Sequence, residues 1–164
     1  MRKFFGLVGA VALLAACSTA PEEGANATGD AASSAQKLGP AAGSVQDFVV
    51  NVGDRVFYDF DQYNLTDAAR ATLANQATWL KKFPSAMVTL EGHADERGTR
   101  EYNLALGERR ANAAKEYLVS LGVEASRVKV VSFGKERPVA LGHNEAAWAQ
   151  NRRAVTAVMV GAGS

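Results

Sequence analysis

The sequence predicts a two-layer α/β sandwich, in which two long helices cover one face of a mixed four-stranded sheet. Segments in which apolar residues alternate are separated by segments in which apolar residues recur at helical spacing. Turn and capping residues mark most of the changes between the two patterns. Because helices joining neighbouring strands pack on the sheet they cross, this order favours an α/β or α+β architecture.

Four strands are predicted from their alternating or β-branched residues. In the first of them, Val56, Tyr58 and Phe60 share one face, and aromatic and β-branched side chains are typical of strands. The predicted strands cover residues 54–60, 87–91, 127–133 and 153–160.

The helices are predicted from apolar stripes and from the residues at their ends. Thr66 is a suitable N-cap for a helix over 66–82, whose Lys81 and Lys82 suit the negative end of the helix dipole. The second long helix covers about 100–121, and a short one covers 145–149. The apolar stripe of the helix over 100–121 includes Gly107 and Ala111, and such small residues predict a close approach of this helix to the sheet.

The N-terminal segment has a composition unlike that of the rest of the chain. Residues 1–16 combine a cationic start with an apolar stretch too short to span a bilayer, which indicates a secretion signal. The stretch ends in Leu-Ala-Ala-Cys, which resembles the lipobox of bacterial lipoproteins and makes Cys17 the expected lipidation site. Residues 17–44 are then a lipidated N-terminus and flexible linker, and the folded domain covers 45–164.

The charge balance argues against a nucleic-acid-binding protein, and the cysteine content excludes a domain held by disulfides. Lys and Arg number 18 against 17 Asp and Glu, so no strong positive field is available to bind nucleic acid. The single cysteine cannot form a disulfide within the chain, so the core must stabilise the domain.

Polar residues are concentrated in 92–114, where a strand ends and a helix begins. Asn103 and Arg110 are seven residues apart and share a helix face, and Asp95 lies just before that helix. A carboxylate and a guanidinium in one pocket suit a zwitterion that keeps both its ammonium and its carboxylate free. Spacing alone leaves open a purely structural role, in which Asp95 and Arg110 pair with each other or with their neighbours Glu108 and Arg109.

Four stretches carry a resemblance to a known family. They are VFYDFDQYNL at 56–65, GHADERGTREYNLALGERRA at 92–111, SFGKERP at 132–138 and WAQNRRA at 148–154. Together they are similar to the peptidoglycan-binding domain of the OmpA C-terminal-like family, and to the lipoprotein branch of that family. Gly107 stands where the broader family often has serine, as in that lipoprotein branch.

The resemblance implies the site and its ligand, the meso-diaminopimelate of the peptidoglycan stem peptide. It implies that Asp95 accepts the ligand ammonium and that Arg110 pairs with the ligand carboxylate. It places five further residues around the same pocket, namely Phe60, Asp61, Arg97, Asn103 and Leu106.

The resemblance also implies a cellular role without a cofactor or a catalysed reaction. Proteins of the lipoprotein branch lie on the periplasmic face of the outer membrane and belong to the Tol system, which acts in cell division and envelope integrity. The implied partners are peptidoglycan, a periplasmic β-propeller of the TolB type and other Tol components. Ser18, rather than aspartate, follows Cys17, which in the enteric sorting rule favours the outer membrane.

Other interpretations remain open from the sequence. A wall hydrolase or metal site would draw on His93, His143 and nearby carboxylates, although no metal-binding motif is present and His93 is expected to be a hydrogen-bonding turn residue. A protein-interaction module with secondary wall contact is the other alternative. Phe60 also fits a core aromatic, and Asn103 a loop-stabilising amide.

Overall fold

The structure is a computed structural model that describes residues 39–161, and its elements follow the predicted order. The strands are β1 (Arg55–Phe57), β2 (Met87–His93), β3 (Val128–Gly134) and β4 (Arg153–Met159). The longer helices are α2 (Asp67–Lys82), α3 (Arg100–Ser120) and α4 (Glu145–Asn151). The remaining pieces are α1 (Val45–Asp47), a π-helical turn (Phe48–Val52) and a 3-10 turn (Ala125–Arg127).

The four strands form one mixed sheet, as predicted. Their order is β1-β4-β2-β3, with β2 and β3 parallel and β4 antiparallel to both β1 and β2. Leu90 of β2 lies at the centre, opposite Val130 on one side and Thr156 on the other. The α/β class predicted from the sequence is therefore confirmed.

The two long helices pack on the same face of this sheet. Val88 and Leu90 of β2 are fully buried and belong to one hydrophobic cluster with Leu73 of α2 and Ala111 of α3. Since side chains alternate along a strand, Gly92 points to this same face. A Cβ built on Gly92 would collide with the carbonyl oxygen of Gly107 in α3. The predicted close approach of this helix to the sheet is confirmed, and it fixes the start of α3 against the end of β2.

The first strand is shorter than predicted. Only Arg55–Phe57 is strand, although Tyr58 adds one more backbone hydrogen bond to the carbonyl of Arg152. The chain then turns at Asp59–Gln62, where the Gln62 amide donates to the Asp59 carbonyl at 3.2 Å. The carbonyls of Asp59 and Gln62 accept hydrogen bonds from Arg110, a long-range contact that local alternation cannot reveal.

The C-terminal end of α2 is capped by a residue outside the helix. Arg127 donates to the carbonyl oxygens of Leu80, Phe83 and Ala86 at 2.7–3.0 Å. Lys81, predicted to suit the end of its own helix, instead donates to the carbonyl of Leu121.

The predicted N-terminal features lie largely outside the described residues. These are the signal segment 1–16, Cys17 and most of the linker. At the predicted start of the domain, the Ser44 hydroxyl caps α1 by accepting from the Asp47 amide at 3.1 Å. None of the helices within 39–161 is long and apolar enough to cross a membrane.

Candidate functional site

One cavity of about 200 Å³ lies where β2 ends and α3 begins. All seven residues predicted for the pocket line it, together with Gly98 and Tyr102. The seven are Phe60, Asp61, Asp95, Arg97, Asn103, Leu106 and Arg110. The structure therefore brings together residues from two separate stretches, 56–65 and 92–111. The cavity is large enough for the end of a ligand rather than for a whole drug-sized molecule.

The Asp95 carboxylate is buried, and arginines surround it. Arg97 contacts it through Nη2 to Oδ2 at 2.7 Å and through Nε to Oδ1 at 3.1 Å, and the Arg97 amide also donates to Oδ1. Arg152 adds a longer contact to Oδ2, at 3.4 Å. Burial opposes ionisation of Asp95, but the hydrogen bonds from Arg97 outweigh it and hold the pKa of Asp95 below its usual value.

The structural alternative derived from spacing, in which Asp95 and Arg110 pair with each other or with Glu108 and Arg109, is wrong. The partners of Asp95 are Arg97 and Arg152, rather than Arg110 or Arg109. Arg97 is itself held between two aromatic rings, with its guanidinium carbon 4.0 Å from the centroid of Phe60 and 4.1 Å from that of Trp148. Such stacking fixes the plane of the guanidinium.

Arg110 is fully buried and helps to shape the pocket. Its Nε donates to Gln62, its Nη1 to His93 and its Nη2 to Asp59, all through backbone carbonyls at 2.8–3.2 Å. Burial lowers the pKa of Arg110 to about 10, so the group is still cationic at neutral pH. A guanidinium has five N–H donors, and these three bonds use three of them.

The start of α3 completes the floor of the pocket. Thr99 caps the helix, and the Asn103 amide nitrogen donates to the Arg97 carbonyl at 2.8 Å, so Asn103 stabilises the loop that carries Arg97. Gly98 in that loop has a φ of +90°, a conformation that favours glycine. Leu106 is 5% exposed and supplies an apolar wall.

The turn after β1 forms the opposite wall. Phe60 is 56% exposed, so it is not the core aromatic considered from the sequence, and its ring covers Arg97. Asp61 adopts a positive φ of 56°, and its carboxylate accepts a hydrogen bond from the hydroxyl of Tyr102. The pocket thus presents two carboxylates, of Asp61 and Asp95, and two guanidinium groups, of Arg97 and Arg110.

Sequence reasoning leaves out five residues at or beside the pocket, one of which is Gly98 in the loop before α3. Tyr102 lies four residues before Leu106 on the same helix face, so helical spacing could have identified it. Trp148, Arg152 and Glu145 come from α4 and its C-cap, and Glu145 contacts Arg152 at 2.6 Å and Arg97 at 3.7 Å. The sequence signal for Trp148 and Arg152 is the family-like WAQNRRA stretch at 148–154, and Glu145 lies outside it.

His93 differs from the hydrogen-bonding turn residue expected from the sequence. His93 ends β2 rather than lying in a turn, is 2% exposed, and neither ring nitrogen has a hydrogen-bond partner among the described residues. His143 is exposed and contacts Glu96 at 2.7 Å, and Glu96 also accepts from the Trp148 indole. Within 39–161, no group of three or more His, Cys, Asp or Glu residues could hold a metal ion.

Comparison with known proteins identifies the family. The OmpA family matches residues 57–152. The chain is 56% identical over 140 residues to the peptidoglycan-associated lipoprotein of Rhizobium meliloti (strain 1021), covering 85% of this chain and 79% of the relative. It is 59% identical over 121 residues to that of Agrobacterium fabrum (strain C58), covering 74% of this chain and 68% of the relative.

A solved structure supports the same assignment. The crystal structure of the peptidoglycan-associated lipoprotein from Burkholderia pseudomallei matches with a TM-score of 0.63 and 49% identity, covering 65% of this chain and 90% of that one. These matches confirm the sequence-based prediction of a binding protein rather than an enzyme. The chain belongs to the OmpA family.

Proposed function

We propose that this chain is a non-catalytic lipoprotein of the bacterial envelope that binds peptidoglycan through the free end of meso-diaminopimelate. The observation that carries the proposal is that buried Asp95 and buried Arg110 line the same pocket. The names of its relatives support the wall as the ligand.

The chemistry of the ligand fits the charges in the pocket. The side-chain end of meso-diaminopimelate carries an ammonium and a carboxylate on one carbon. Asp95 is the acceptor for the ammonium, and the two remaining N–H groups of Arg110 are donors to the carboxylate. Leu106 and Phe60 line the same pocket and supply apolar surface for the methylene chain.

The N-terminal sequence and the resemblance support the proposed anchor and location. Cys17 carries the lipid that holds the protein in the outer membrane, and the linker up to residue 44 lets the domain reach the wall from the periplasmic face. The protein then joins the outer membrane to peptidoglycan without a covalent bond to the wall.

The direct test is sedimentation with purified diaminopimelate-containing cell walls. Asp95→Asn keeps the size of the side chain but removes the charge that accepts the ammonium, so the bound fraction should correspond to an affinity about tenfold weaker or more. Asp67→Asn, at the exposed start of α2, is the matched control and should bind as the native chain does. Native-like sedimentation of a folded Asp95→Asn protein would contradict the site, and thermal melting verifies folding.

We also propose that the protein acts in the Tol system, with a TolB-type β-propeller and other Tol components as partners in cell division and envelope integrity. Exposed aromatic side chains flank the pocket, since Phe60 is 56% and Tyr102 46% exposed, and such residues are common at protein interfaces. A partner that covers them would compete with the wall. Adding purified TolB-type protein should therefore release the native chain from cell walls, and simultaneous binding of both would refute a shared surface.

A further inference from the structure

Donors of the protein itself use the hydrogen-bonding capacity of the Asp95 carboxylate. Oδ1 accepts from the amide and from Nε of Arg97, each at 3.1 Å. Oδ2 accepts from Nη2 of Arg97 at 2.7 Å and from Nη1 of Arg152 at 3.4 Å. An ionised carboxylate offers about four lone-pair positions, so an incoming ammonium must replace one of these donors.

The side chain of Arg97 is the donor that can leave. The Arg97 side chain is 32% exposed, whereas that of Arg152 is 7% exposed. Arg152 is also held by the Tyr58 carbonyl at 3.0 Å and by Glu145 at 2.6 Å. Within the described residues, the Arg97 side chain donates hydrogen bonds to Asp95 alone, and its other neighbours are the rings of Phe60 and Trp148.

A second carboxylate lies beside Arg97. Oε2 of Glu145 is 3.7 Å from Nη2 of Arg97, and the Glu145 side chain is 62% exposed. A short movement of the guanidinium toward Glu145 would keep it paired while it uncovers Asp95.

We propose that Arg97 is an internal cation that occupies the ammonium position of the pocket until a ligand displaces it toward Glu145. This inference rests on the proposed function and gives a specificity-determining role to Arg97, which the resemblance places only around the pocket. Replacing the Arg97 guanidinium by a ligand ammonium on Asp95 exchanges one cation for another and adds little binding free energy by itself. A ligand therefore needs a second charged group, the carboxylate that meets Arg110, and a plain amine is rejected.

The test compares two wall peptides, one with meso-diaminopimelate and one with lysine, which lacks the second carboxylate. Their affinities are measured by calorimetry with full-length protein in detergent. In Arg97→Met, the lysine peptide should bind about fivefold more tightly than to the native chain, and the preference for diaminopimelate should fall by a similar factor. Arg100→Met is the matched control, because Arg100 is exposed and pairs with Glu136 outside this pocket. It should leave the preference unchanged.

A second variant, at Glu145, should weaken ligand binding. Glu145→Gln removes the carboxylate that receives Arg97, so the diaminopimelate peptide should bind about threefold more weakly. The inference is overturned if Arg97→Met weakens both peptides, or if it changes the preference no more than Arg100→Met does.

A ligand-free measurement separates this inference from the proposed function. Carbon NMR of the Asp95 carboxyl should show a higher pKa in Arg97→Met than in the native chain, and no change in Arg100→Met. If the native protein binds neither peptide, the proposed function fails, whereas an Asp95 titration unchanged by Arg97→Met shows that Arg97 is not the resident partner.

Discussion

Replacing His93 with phenylalanine should remove a pH dependence of folding that the native chain shows in mildly acidic solution. Burial, aided by the positive charges of Arg153 and Arg137, lowers the pKa of His93 to about 4 from an ordinary 6.5. Glu91 lies 3.8 Å from Nε2, and with a pKa of about 4 the ring remains predominantly neutral in the folded protein above that pH.

The stability of the folded state decreases as the pH falls, because the unfolded state binds a proton at His93 more readily than the folded state does. As pH falls below 6.5, the unfolded chain protonates its histidine while the folded chain does not until about pH 4, so the unfolded state is favoured. Stability is full above the unfolded pKa and is lost through this window. A shift of this size corresponds to about 2 kcal/mol of lost stability between about pH 7 and about pH 5.

Urea unfolding at the two pH values measures the effect. His93→Phe keeps a ring of similar size beside Phe133, whose centroid is 5.5 Å from that of His93. Its stability should change by about 2 kcal/mol less than that of the native chain between the two pH values. The control is His143→Gln, which alters the only other histidine and should keep the native dependence. Equal pH dependence in the native chain and in His93→Phe would refute the argument.

Two further predictions concern packing and capping. Gly92→Ala places a methyl group against the backbone of Gly107 and should destabilise the domain by about 3 kcal/mol in urea unfolding. Gly122 has open space around it and only a positive φ, so Gly122→Ala should destabilise the domain by about 1 kcal/mol. Equal destabilisation by the two variants would contradict the close approach of α3. Arg127→Met removes the donor to the carbonyls of Leu80, Phe83 and Ala86, at and just after the end of α2, and should lower the free energy of unfolding by about 3 kcal/mol. The control Lys82→Met should change the free energy of unfolding by less than about 0.5 kcal/mol. A native-like melting temperature for Arg127→Met would show that water replaces the cap.

The parts of the fold that depend on local pattern could be predicted from the sequence. Thr66 caps α2 as expected, and Leu73 and Leu80 lie on its buried face. The small residue Gly107 correctly indicated the tight helix–sheet contact. Each of these follows from spacing within one element, where the helical or strand period determines which side chains share a face.

The remaining features depend on contacts between distant parts of the chain. The end of β1 is set by Arg110, which binds carbonyls of the following turn. The pairing of β2 with β3 shifts register between Gly92 and His93, so a turn residue expected from the sequence becomes a buried strand end. Spacing could place Asn103 and Arg110 together, but the stacking of Arg97 on Trp148 needs the tertiary fold.

Calorimetric titration of the native protein tests most directly whether the pocket binds a zwitterion. The native chain is titrated with the wall peptide that contains meso-diaminopimelate and with the otherwise identical lysine peptide. The proposed pairing of Asp95 and Arg110 with the two charged groups predicts binding of the diaminopimelate peptide at least about tenfold tighter than that of the lysine peptide. Equal affinities, or no binding of either peptide, would contradict it.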